Sequence, residues 1–133
     1  MIVIDASVIA DALIDDGPAG TAARTALTAD QHWAAPAHLG VEVISAIRGK
    51  LLGRKIRPAR AHDAIEALPG LVIDEIPIGR LVDRIWQLRG NLSAYDAAYV
   101  AAAEGLDCPL LTGDGRLATV SGLRCEVRVV PAG

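Results

Sequence analysis

The sequence predicts an α/β fold in which a parallel sheet is covered on both faces by helices. Three observations carry that expectation. Short apolar runs alternate with longer stretches at helical spacing along the whole chain, the pattern of strands joined by helical crossovers. Turn-forming residues fall between those runs, at Gly17-Pro18, Gly53, Pro69-Gly70, Gly90-Asn91, Gly105 and Gly113. Hydrophobic residues make up 52% of the 133 residues and mean hydropathy is +0.35. That apolar balance calls for a sheet buried on both faces or for a sizeable partner interface.

Taken in chain order, Ile2–Ile4 reads as the first strand, followed by helical patterns over Ser7–Ile14 and Ala19–Ala29. His32–Ala35 reads as the second strand, followed by helices over Ala37–Leu52 and Pro58–Leu68. Leu71–Ile76 is the third, with helices over Ile78–Arg89 and Ser93–Glu104. Pro109–Thr112 is the fourth, with a short helix near Arg116–Val120, and Glu126–Val130 is the fifth. No repeat, low-complexity segment or linker interrupts the series, so one domain is expected over residues 1–133. Aromatic residues are limited to two Trp and two Tyr with no Phe, so the core has to be built from Leu, Ile, Val and Ala.

Several function classes are disfavoured at this stage. The longest stretch free of Asp, Glu, Lys and Arg is the 11 residues from Gln31 to Val41, whereas a membrane-spanning helix needs roughly 20 apolar residues. The strand-like run after Met1 has neither the basic nor the apolar region of an export signal. Cys108 and Cys125 have no metal-type spacing, so they read as reduced thiols and the expected location is the cytoplasm. Net charge is −3, but its distribution is uneven. Arg48, Lys50, Arg54, Lys55, Arg57 and Arg60 form a basic run with no acid among them, while the rest of the chain is acidic on balance. Such a strip suits phosphate or partner contact; it also suits a solvated helix end.

Four acids stand out by position. Asp5 closes the first strand, where ligands of open parallel sheets bind; a cap for the helix that follows explains it equally. Glu42 lies early in the third helical stretch. Ile44, Ile47 and Leu51 mark that helix's expected buried stripe, which Glu42 would face away from, at ~200° from Ile44; a surface Glu fits the same pattern. Asp96 follows Ser93 by three positions, a capping-box spacing, and precedes a fully apolar helix from Ala97 to Ala103 that should be buried. Asp114 sits in Thr112-Gly113-Asp114-Gly115, where Asp-Gly is also a common turn pair.

The conjunction says more than any member. Three of the acids fall at strand ends or helix starts that share one rim of a doubly wound sheet, and the fourth rides a crossover helix near its start. Crowded carboxylates repel one another unless a cation is present. An all-oxygen set selects Mg²⁺ or Mn²⁺, and such a site suits phosphodiester hydrolysis. Ser7 and Thr112 are placed to hydrogen-bond the carboxylates.

With those residues in view, the chain resembles the PIN domain, specifically the VapC-type toxins of type II toxin–antitoxin systems. The resemblance rests on Ile2-Val3-Ile4-Asp5-Ala6-Ser7, on Pro36 to Val43, on Leu92 to Ala101 and on Leu110 to Leu117, in family order and spanning the chain end to end. It implies a five-stranded parallel sheet sandwiched between helices and Mg²⁺-dependent endoribonuclease activity on cellular RNA. Asp5 and Asp96 then match the metal ligands, Glu42 and Asp114 complete the acidic site, and Ser7 and Thr112 match the supporting hydroxyls. It further implies a homodimer blocked by a VapB-type antitoxin, with the basic run serving antitoxin, RNA or both. Ala6 departs from the family, which often has a hydroxyl residue there. A degenerate, partner-binding domain that does not cut is the alternative. A phosphoacceptor receiver domain would need paired acids after the first strand and a lysine after the last. An aspartyl-nucleophile phosphatase would need a second Asp where Ser7 stands.

Overall fold

The computed structural model describes residues 1–131; the last two residues of the expected domain lie outside them. Five short strands, β1 (Ile2–Ile4), β2 (Trp33–Pro36), β3 (Ile73–Ile76), β4 (Leu110–Thr112) and β5 (Val127–Val129), form one sheet in the order β3-β2-β1-β4-β5. Every pairing is parallel. Six helices connect them: α1 (Ala6–Ile14), α2 (Pro18–Leu27), α3 (Leu39–Leu52), α4 (Pro58–Ala67), α5 (Val82–Gln87) and α6 (Ala94–Gly105). Helices α1 to α4 pack on one another, and α5 packs on α6. Right-handed crossovers in both directions from β1 put these two groups on opposite faces of the sheet. None of the helices among the described residues is long and apolar enough to cross a membrane.

The central strand shows why the apolar composition is needed. β1 is buried along its whole length, as is β4. Between the sheet and α5 runs α6, whose residues Ala97 to Ala103 are all buried. Small side chains let it lie close against β1, β2 and β4, and a helix that is apolar all round has to be buried. Its first turn is different: Ser93, Ala94 and Tyr95 are exposed and Asp96 is half-buried, so only the body of the helix is enclosed.

Three details differ from the sequence-based expectation. The stretch Ile78–Arg89 is not one helix; a 3₁₀ turn at Ile78–Arg80 precedes the short α5. The helix expected near Arg116–Val120 is a 3₁₀ turn over Gly115–Thr119. The buried stripe of α3 is Leu39, Val43 and Ile47, while Ile44 is exposed. Apolar residues on both sides of the helix made either stripe readable, and contact with α1 selects the one through Val43. Glu42 therefore borders the buried stripe instead of opposing it.

The ends of α1 and α3 are tightly specified. Asp15 Oδ1 accepts hydrogen bonds from Gly17 N at 2.7 Å and Gly20 N at 3.1 Å, capping α2 from outside the helix. Gly20 is required there, because a Cβ would stand 1.8 Å from the Asp15 carbonyl oxygen. Helix α3 ends in a Schellman motif, with Lys55 N–H donating to Lys50 C=O at 2.9 Å and Arg54 N–H to Leu51 C=O at 3.1 Å. Arg54 takes the left-handed position with φ 56°, a conformation that favours glycine.

Candidate active site

The doubly wound order reverses at β1, where β2 lies on one side and β4 on the other. A crevice opens beyond the carboxyl ends of strands at such a reversal. Asp5 occupies this point. Its backbone N–H continues the ladder by donating to Leu111 C=O at 2.9 Å, which fixes the residue beside Thr112. Asp5 is 8% exposed, and its Oδ2 accepts a hydrogen bond from Thr112 Oγ1 at 2.6 Å. Asp5 stands at the N-cap position of α1, but its side chain makes no aligned cap hydrogen bond. Burial raises its pKa first, and the Glu42 charge adds to the rise; the Thr112 hydroxyl and the Ser7 backbone and hydroxyl oppose it. Ser7 Oγ also accepts from Gly113 N at 3.1 Å, joining the starts of the two connections.

Asp96 comes from the first turn of α6. Ser93 caps that helix, its Oγ accepting from Asp96 N at 3.2 Å, so the capping pattern read in the sequence is present. It leaves the Asp96 carboxylate without an ion pair among the described residues. Burial pushes its pKa up, and repulsion from Asp5 and then Asp114 pushes it further; Arg116 pulls the other way. The structure thus brings Asp5, Asp96 and Asp114 within one electrostatic field, with Glu42 coupled through Asp5.

Glu42 and Asp114 are already engaged. Glu42 Oε1 accepts from the Tyr99 hydroxyl at 2.7 Å and lies 2.9 Å from His38 Nε2. Asp114 caps the following 3₁₀ turn by accepting from Arg116 N at 3.0 Å. The Arg116 guanidinium also grips its carboxylate, with Nη2 at 2.6 Å from Oδ2 and Nε at 3.0 Å from Oδ1. That pair holds the Asp114 carboxyl below the usual range. The turn-and-cap reading of Asp114 therefore describes what its side chain does here. Among the described residues, no three His, Cys, Asp or Glu side chains form a ready-made metal cage. The donor chemistry nevertheless fits a hard divalent ion, which takes oxygen ligands and keeps several waters instead of filling an all-protein cage. Two neighbouring carboxylates with raised pKa values, Asp5 and Asp96, are what a cation would relieve.

Sequence reasoning overlooked Tyr99, His38 and Arg116. Each had a readable signal: Tyr99 is three residues after Asp96 on α6, His38 is four before Glu42 on α3, and Arg116 is two after Asp114. The basic run does not join the rim. Lys50 lies eight residues beyond Glu42 on α3, ~12 Å along the helix axis. Lys50, Lys55, Arg57 and Arg60 line a cleft of about 700 Å³ with Asp11, Asp15 and Asp16 at the far ends of α1 and α3. Arg60 pairs there with Asp16 at 2.9 Å.

Comparison with known proteins identifies the family. The model of the PIN domain family matches residues 2–123. The chain is 43% identical to Ribonuclease VapC1 of Mycobacterium tuberculosis over 129 residues, 96% of each chain. It is 37% identical to Ribonuclease VapC9 of the same species over 131 residues, 98% of this chain and 99% of the relative. Among solved structures, Mycobacterium tuberculosis VapC20, a sarcin–ricin loop cleaving toxin, superimposes with a TM-score of 0.68 at 20% identity, covering 98% of this chain and all of that one. A toxin–antitoxin complex from Klebsiella pneumoniae gives 0.65 at 18% identity over the whole of both chains. The sheet order, the carboxylates at its central reversal and full-length relatives at these identities lead to one assignment: the chain belongs to the PIN-domain family, among its VapC-type ribonucleases.

Proposed function

We propose that this ribonuclease is the toxin of a type II toxin–antitoxin pair and cuts cellular RNA with a Mg²⁺ or Mn²⁺ ion held at the carboxylate rim. The single observation that carries the site is the buried Asp5 carboxylate at the central reversal of the sheet, held by the Thr112 hydroxyl at 2.6 Å. Asp5 and Asp96 are the principal ligands in this reading, because neither has a protein cation paired to it. Glu42 and Asp114 complete the acidic site through water. When bound, the ion supplies an activated water and charge stabilisation at the attacked phosphate. Thr112 orients the Asp5 carboxylate, and Ser7 ties the β4 loop to α1 so that the acids from β1 and β4 keep their spacing.

The partners follow from two other surfaces. The mixed-charge cleft of Asp11, Asp15, Lys50, Lys55, Arg57 and Arg60 lies away from the rim, which favours a VapB-type antitoxin over the scissile RNA as its occupant. An apolar band joins Val41 on α3 to Tyr95, Val82 and Trp86, with Val41 72% and Trp86 66% exposed. Such a contiguous apolar surface suits a second copy of the chain, and we assign the homodimer to it. A cytoplasmic location accords with the reduced cysteines.

The decisive experiment incubates the purified chain with total RNA and Mg²⁺ and maps the new RNA ends. Cleavage should require the ion, cease in EDTA, and disappear in folded Asp5→Asn and Asp96→Asn proteins. Full activity in either variant refutes the site. A partner-binding domain that does not cut is favoured by one feature, the engagement of Glu42 and Asp114 with Tyr99 and Arg116. Absence of new ends from the wild-type chain would select it.

A further inference from the structure

We infer that Tyr99 is the positioning residue for Glu42: its buried phenol holds one carboxylate oxygen, Oε1, and leaves Oε2 as the oxygen free for a cation. The inference rests on the metal site proposed above and adds a residue from the interior of α6 to it.

Tyr99 is 1% exposed and is among the largest fully enclosed side chains of the protein. Its hydroxyl donates to Glu42 Oε1 at 2.7 Å. The Glu42 side chain itself is 31% exposed, and a Glu in that setting is free to sample several rotamers, at an entropy cost whenever it is fixed. A phenol has only two side-chain torsions, and here both are locked by the core. It is therefore a rigid anchor for a flexible acid. His38 stands on the same side, its Nε2 2.9 Å from the same oxygen and its ring 5.0 Å from the Tyr99 ring. Neither His38 ring nitrogen makes an aligned hydrogen bond among the described residues, so Tyr99 supplies the directional contact and His38 walls the site. No hydrogen bond among the described residues reaches Oε2.

Burial and the neighbouring Glu42 both push the phenol pKa far above its ordinary range. Thr112 serves Asp5 in the same way that Tyr99 serves Glu42. A core tyrosine with a purely structural role needs only any acceptor for its hydroxyl; this one donates its hydrogen bond to an acid of the rim. Orienting partners of metal-binding carboxylates change metal affinity by about 10-fold or more when removed.

The test uses the full-length chain and Mn²⁺ as the probe. Tyr99→Phe removes one oxygen and keeps the ring in the core. Calorimetric titration without RNA should give a Mn²⁺ Kd raised about 10-fold, and cleavage assays should give a lower kcat with little change in the KM for RNA. In a Glu42→Gln background the same change should add no further loss. Glu42→Asp, which shortens the acid without touching the core, should reproduce the Tyr99→Phe loss of Mn²⁺ affinity and serves if the phenylalanine variant does not fold. A Tyr99→Phe protein with wild-type Mn²⁺ affinity overturns the inference, as does an undiminished loss on top of Glu42→Gln. Failure of the wild-type chain to bind Mn²⁺ at all would overturn the site itself, a result distinct from either.

Discussion

Replacing Asp5 by Asn separates two effects that loss of activity alone would merge. The wild-type carboxylate is 8% exposed, is raised in pKa chiefly by burial, and faces the charges of Glu42 and Asp96. A raised folded-state pKa means that the folded chain favours the protonated acid. Stability from this group is therefore intact below the ordinary value of 3.8 and is lost as pH rises through the elevated folded value. Asn keeps the shape and an oxygen to accept from Thr112 Oγ1, and carries no charge. Relief of a buried, mutually repelled charge is worth on the order of 1 kcal/mol, which moves the midpoint of a chain this size by roughly 4 °C. In EDTA at pH 7, Asp5→Asn should therefore melt higher than wild type, and the two curves should converge at acid pH. With Mg²⁺ or Mn²⁺ the order should narrow or invert, because only wild type gains from the ion. RNA cleavage should be absent throughout. Thermal denaturation against pH, with and without metal, reads all of this. A variant that melts below wild type in EDTA would refute the repulsion argument, and one that still cleaves would refute the site.

Three further outcomes follow from geometry elsewhere. Charge reversal at Lys50 and Lys55, which line the cleft, should leave kcat on RNA nearly unchanged, because this end of α3 is ~12 Å or more from Glu42, and should weaken binding of a VapB-type antitoxin most strongly at low salt; unchanged antitoxin affinity at low salt refutes the assignment of the cleft. Arg54→Gly should stabilise the chain by about 1 kcal/mol in denaturant unfolding, because the left-handed position with φ 56° penalises a side chain. Gly20→Ala should cost about 3 kcal/mol, since its new methyl would overlap the Asp15 carbonyl at 1.8 Å and open the α1–α2 corner; a midpoint within 2 °C or so of wild type would contradict that close approach.

Much of the fold was legible because local pattern and global architecture agree. Alternating apolar runs and helical stretches gave five strands close to their observed places, and the Ala97–Ala103 run announced a buried helix. The acids could be placed at strand ends and helix starts because chain direction in a parallel sheet brings those ends to one rim. Side-chain commitments were less readable. Two stripes of α3 were apolar, and only packing on α1 chose Val43 over Ile44. Asp114 could be a ligand or a cap, and the Arg116 side chain settled its present contact. The basic run could serve RNA, antitoxin or only solvent, and the axis of α3 carries Lys50 and Lys55 to a cleft at the far end of that helix from Glu42.

The amino-acid order by itself determined the class of fold and the family pattern, and it singled out four acids as candidates, since each depends on periodicity and spacing along the chain. The tertiary structure decided which partner each acid keeps: Thr112 for Asp5, Tyr99 for Glu42, Arg116 for Asp114 and none of these for Asp96. Two of those pairings are long-range, joining residues 107 and 57 positions apart, and no local pattern encodes a contact between side chains that meet only when the sheet and its helices close.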